Sequence, residues 1–78
     1  MELSKQVKIS KQLNYQINEF YSSVEIKKRL TELYLLNGLE EIVTATDINN
    51  WYQVTDLTKT IMGKRVRGYV IKMNKFKC

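Results

Sequence analysis

Apolar residues recur at helical spacing between Ser22 and Leu39. Ile26, Leu30, Leu33 and Tyr34 fall at i, i+4, i+7 and i+8, which places them on one stripe of a helix and leaves the intervening polar residues on the other side. Ser22 followed by Glu25 fits a capping box, in which each side chain satisfies a backbone N–H of the first turn. Asn37 and Gly38 close the segment, with Gly38 suited to a left-handed position and Leu39 placed to fold back on the last turn. The spacing predicts a helix over 23–37. Glu25 and Arg29 stand at a favourable i, i+4 separation, and the triplet Lys27-Lys28-Arg29 points away from the stripe as a solvated face.

The stretch that follows alternates shorter signals. Ile42 and Val43 suit a very short strand. Thr44 with Asp47 repeats the capping-box pattern, and Ile48, Trp51 and Tyr52 form an i, i+3, i+4 stripe, so a short helix is expected over 45–53. In VTDLTKTIMG, Thr55 or Asp56 can cap a further helix that Gly63 ends. Leu57 and Ile61 then face inward, and Thr58, Lys59 and Met62 face outward. A link of only two or three residues between these helices has helix-turn-helix length. Beyond Gly63 the period changes to two. Val66 and Val70 share one face and Arg65, Arg67 and Tyr69 the other, so a strand is expected over 65–73, with Gly68 marking a bulge or a close backbone approach. The first twenty residues fit two patterns. Val7, Ile9, Leu13, Tyr15 and Ile17 all occupy odd positions, yet Ile9, Leu13, Ile17, Phe20 and Val24 follow helical spacing. Asn and Gln content, and the need of the basic strand for a partner, favour a strand over 11–19. The chain then divides into an N-terminal strand or arm (1–20), a helical core (23–62) and a basic strand or wing with its tail (63–78).

Charge sharpens this division. The formal net charge is +5 over 78 residues. Seven cations and no acid lie from Leu57 to Cys78. Three cations against seven acids lie from Glu19 to Asp56, and three lysines with one glutamate precede them. A cationic end beside an acidic middle steers that end towards a polyanion. The stretch MGKRVRGYVIK, Met62–Lys72, concentrates the effect. The single cysteine is Cys78 and there is no histidine, so one chain has no Cys/His set for a metal and the commonest general acid–base is missing. No Gly-rich phosphate loop is present. Glu40, Glu41, Asp47 and Asp56 read as helix-start charges or solvated turns. The expectation is a non-enzymatic protein with no cofactor and no metal. The unpaired thiol and the lack of an apolar span or leader suit a cytoplasmic setting without a membrane. A chain of this length buries only about 60–65% of its unfolded surface, which suits a homodimer or a larger protein partner.

The order helix, short strand, two closely linked helices and basic strand resembles a winged helix-turn-helix DNA-binding domain. The resemblance rests on IVTATDINNWYQ as second helix, VTDLTKTIMG as recognition helix and KRVRGYVIKM as wing, about 50 residues in all. The ending GKRVRGYVIK is also similar to the wing of small DNA-binding domains of phage and plasmid replication proteins. The fold class implied is α+β, three helices plus a small antiparallel sheet. The resemblance implies that Thr58, Lys59 and Met62 face the major groove and that Lys64, Arg65 and Arg67 sit on phosphate or in the minor groove. Lys72 extends that cationic face, and Tyr69 beside the arginines is placed either to stack on an unpaired base or to cover a core edge. Asn49 and Asn50 are candidates for neutral phosphate bonds. The function expected is a small basic accessory or regulatory protein that binds nucleic acid, duplex DNA first. The alternative is a protein-binding inhibitor of phage type, in which the same cationic strand occupies a partner's nucleic-acid channel.

Overall fold

The computed structural model describes residues 2–76. The order is helix α1 (Leu3–Leu13), strand β1 (Phe20–Ser22), helix α2 (Ser23–Leu36), a 3₁₀ helix (Ala45–Asn50), strand β2 (Tyr52–Ile61) and strand β3 (Lys64–Asn74). The three strands form one antiparallel sheet in the order β1-β3-β2. The class is therefore α+β, three helices of which one is 3₁₀, with a three-stranded sheet. No helix among the described residues is long and apolar enough to cross a membrane.

Helix α2 forms as its stripe requires. Ile26, Leu30, Leu33 and Tyr34 are all buried. The Ser22 hydroxyl accepts from the Glu25 N–H at 3.2 Å. At the other end Gly38 adopts φ +71, and the Leu39 N–H returns to the Tyr34 carbonyl at 2.9 Å. Arg29 does not pair with Glu25. Its guanidinium donates to the Gln12 carbonyl at 3.0 Å and lies 3.7 Å from Glu32, so it satisfies an end carbonyl of α1 and ties the two helices together.

Four expectations are corrected. Residues 11–19 are not a strand. Helix α1 runs to Leu13, and Asn14 ends it in the left-handed region at φ 48. The two periodicities coincide at Ile9 and Leu13, four residues apart, and burial of this pair against α2 and the rest of the core decides for helix. The helix expected over 45–53 stops at Asn50 as a 3₁₀ turn. Its capping interaction forms, the Thr44 N–H donating to the Asp47 carboxylate at 3.2 Å, and Ile48, Trp51 and Tyr52 are all buried. A tighter i→i+3 bond from the Trp51 N–H to the Ile48 carbonyl serves this stripe before the chain extends. Ile42 and Val43 lie in no strand.

The fourth correction matters most. The segment read as a recognition helix is strand β2, so Thr58 and Lys59 stand on a strand and Met62 in a hairpin turn. Five of the eight residues from Val54 to Ile61 are β-branched, and such residues lose rotamer freedom in a helix and pack well on a pleat. Leu57 and Ile61 are four apart, and that spacing repeats a face in a strand as well as in a helix. β2 thus supplies the long partner that β3 requires.

The core sits between the helices and one face of the sheet. Ile9, Leu13, Ile26, Leu30, Leu33, Ile48, Trp51, Tyr52 and Ile71 form it, with Tyr21, Val54 and Tyr69 packed at its edge. The Trp51 indole N–H donates to the Gln6 carbonyl at 3.0 Å. The Tyr52 hydroxyl accepts from the Tyr15 N–H at 3.1 Å and the Tyr21 hydroxyl from the Gln16 N–H at 3.0 Å, anchoring the connection between α1 and β1.

Candidate nucleic-acid interface: a two-faced cationic arm

β1 is paired to β3 only over Gly68–Val70, whereas β2 and β3 run together to the turn. The stretch Leu57–Arg67 is consequently a two-stranded arm beyond the third strand, about 17 Å long at the usual strand rise. The molecule is correspondingly elongated, 40 × 29 × 15 Å. Met62 and Gly63 form the two-residue turn with φ 51 and 79. Both values are positive, as a type I′ turn requires, and this turn matches the right-handed twist of the strands it joins.

All eight residues singled out from the sequence lie on this hairpin. The register divides them. Thr58 pairs with Arg67, Thr60 with Arg65 and Asp56 with Tyr69, and cross-strand partners share a face. One face of the arm therefore carries Arg65, Arg67, Thr58 and Thr60. It is the continuation of the face that nearer the base bears Tyr69 and the buried Ile71. Lys59 pairs with Val66 and Ile61 with Lys64, so these stand on the opposite face. Lys72 is the extra residue of a bulge, since Val54 opposes Ile71 while Gln53 opposes Met73; it is exposed and lies at the base of the hairpin. Met62 is 97% exposed at the tip. The resemblance grouped Thr58 with Lys59 on an outward helix face; pleating separates them.

The electrostatics of the arm are simple. Lys59, Lys64, Arg65 and Arg67 carry four positive charges between Leu57 and Arg67, with no acid in that stretch. Among the described residues none of the four makes an ion pair. Lys59 instead places its ammonium over the Phe20 ring, 5.2 Å from the centroid. Where the arginine face meets the body, a groove of about 700 Å³ opens between the start of α2 and the hairpin. Ser23, Thr58, Arg67 and Tyr69 line it, together with Asp56, and the Ser23 hydroxyl donates to the Arg67 carbonyl at 3.2 Å. Tyr69 is half-buried against the core, so it forms the groove's inner wall.

Sequence reasoning missed Thr60, Ser23 and Phe20. Thr60 was legible in the alternation Thr58-Lys59-Thr60-Ile61 once a strand is drawn. Ser23 and Phe20 reach the hairpin only through the pairing of β1 with β3, which no local pattern announces. Asn49 and Asn50 lie at the other end of β2 from the turn. The Asn49 side-chain amide donates to the Thr46 carbonyl at 2.9 Å, so the side chain is used locally, and the Asn49 backbone carbonyl accepts from the Lys75 ammonium. Cys78 lies outside the described residues. No group of three or more metal-ligating side chains occurs among the described residues. No protein-family model matches the chain, and neither a curated protein nor a solved structure matches it.

Proposed function

We propose that this chain is a non-enzymatic nucleic-acid-binding accessory or regulatory protein that grips its target with the β2–β3 arm. The observation that carries the reading is the shared face of Arg65, Arg67, Thr58 and Thr60, which projects beyond the core and meets a carboxylate only at Asp56, where the arm joins the body. A two-stranded ribbon fits the major groove of duplex DNA as an α-helix does, and ribbon readers of this kind are an established class. Arg65 and Arg67 are two residues apart on one face, about 7 Å along the strand. That separation lets each guanidinium take its own phosphate or base edge. The hydroxyls of Thr58 and Thr60 add neutral bonds to phosphate oxygens. Lys59 and Lys64, on the reverse face, contribute field and steering. What carries over from the winged helix-turn-helix resemblance is the wing, with β2 in place of the recognition helix.

Titration of labelled duplex against salt tests the reading. Each phosphate contact contributes close to one unit of log–log slope. The Arg65→Ala/Arg67→Ala variant is expected to reduce that slope by about two and to weaken binding at every salt concentration. Both residues are exposed and outside the core, so the thermal midpoint should not move. An unchanged slope in the variant refutes the arm as the contact surface. Absence of duplex binding by the wild type at physiological salt would favour the protein-binding inhibitor instead.

A further inference from the structure

The reverse face of the sheet, turned away from the helices, is covered by no element among the described residues. The register places Phe20, Leu57, Ile61, Val66, Val70 and Met73 on it. Leu57, Ile61 and Met73 are 41%, 43% and 51% exposed. The strip is built, since Gly68 leaves room for the Phe20 ring to lie across β3. A Cβ at that glycine would stand 2.7 and 2.8 Å from two atoms of the ring. Lys59 stands within the strip between Leu57 and Ile61, Lys64 and Lys72 stand towards its ends, and no acid stands on it. Exposed apolar residues gathered on one face of a small protein mark an interaction site.

A surface of the opposite character occurs elsewhere on the same molecule. At the end of α2 and in the following loop, Leu35, Leu36 and Ile42 are 70%, 74% and 92% exposed. Glu40 and Glu41 stand among them, and no cation occurs anywhere from Leu30 to Thr58. We propose that the open sheet face docks the Glu40–Ile42 loop of a second copy, head to tail, with Ile42 on the apolar strip and the two glutamates against Lys59 and Lys64. Packing of two sheet faces against each other is disfavoured, because it would bury three lysines of each copy opposite a surface that offers no carboxylate. A heterologous contact leaves one free face and one free loop at the ends of any open assembly, so it extends into a chain until the rotation closes it into a ring. Arg65 and Arg67 point the other way, so each added copy presents another arm to a polyanion and gains avidity.

The contact requires no nucleic acid, so its test is independent of the duplex titration. Sedimentation velocity of the protein alone over a dilution series is expected to give a mass that rises beyond the dimer with concentration and falls with added salt. Lys59→Glu/Lys64→Glu and Glu40→Lys/Glu41→Lys are each expected to weaken association by about tenfold or more. An equimolar mixture of the two should associate again, because the reversed face of one meets the reversed loop of the other. All four residues are exposed, so folding is not at stake, and an unchanged circular dichroism spectrum would show it. A wild type that stays monomeric throughout overturns the proposal. So does a dimer indifferent to Glu40→Lys/Glu41→Lys, or a mixture that fails to recover.

Discussion

Gly68 and Met62 show how single residues shape the arm. A Cβ at Gly68 would press on the Tyr21 carbonyl oxygen as well as on the Phe20 ring. Tyr21 pairs with Tyr69 across β1 and β3, so its carbonyl cannot retreat without opening that pairing. Gly68→Ala is expected to cost about 1–3 kcal/mol, the range for forcing extra volume into a filled site, measured by urea unfolding. Met62 presents the opposite case. Its φ of 51 is a left-handed conformation that an ordinary side chain adopts at a cost, and at 97% exposure the side chain recovers nothing by packing. Met62→Asn places the preferred residue at the first position of a type I′ turn. The same urea experiment should show a gain of about 1 kcal/mol. The glycine at 68 was legible as a bulge or a close approach, and the structure makes it the approach, with the bulge further on at Lys72. What approaches it was not legible, because Phe20 lies 48 positions away in the chain.

Elements differ in how much of themselves they advertise. α2 carries its stripe, its cap and its stop signal within one continuous segment, and its observed ends agree closely with those read from the sequence. Ser22 is the hinge of this region, pairing with Gly68 in β1 and capping α2 in the same residue. Ser22→Ala is expected to lower stability by about 1 kcal/mol through the lost cap, visible as a reduced denaturation midpoint with an unchanged slope. β3 was legible because Arg65, Arg67 and Tyr69 step by two opposite Val66 and Val70, a period that fits a strand and not a helix face. β2 and α1 were not, for one shared reason. Their apolar pairs, Leu57 with Ile61 and Ile9 with Leu13, are four residues apart, a spacing that serves helix and strand alike. In β2 the β-branched content was the stronger signal and the cap-like Thr55-Asp56 the weaker.

For the molecule as a whole, the buried tyrosines couple stability to alkali. Burial pushes the Tyr15 and Tyr34 hydroxyls up to about 12, with Glu25 adding to the first and Asp47 and Glu41 to the second. Burial also raises Tyr52. An unfolded chain releases these protons near 10.0. Above that pH the unfolded state binds fewer protons than the native one, and stability must fall as pH rises. Their contribution is fully present below pH 10 and is lost on the way to about 12. Urea midpoints followed by Trp51 fluorescence should therefore decline across that window, in step with the appearance of tyrosinate absorbance. A flat profile would contradict the burial described for these rings. The arm stands outside this ledger, since its charged residues belong to no part of the core.

The amino-acid sequence determined what depends on neighbours close along the chain: the α2 stripe and its caps, the inward set Ile48, Trp51 and Tyr52, the basic strand, and the concentration of cations after Leu57. Tertiary structure alone decided that β2 pairs with β3, that β1 lies on the far side of β3, and hence that Arg65 and Arg67 share a face with Thr58 and Thr60 while Lys59 and Lys64 turn away. The physical reason is that a side chain's neighbours across a sheet are fixed by register. Register is set by backbone pairing and by burial of one face in the common core, which residues distant in the chain settle together.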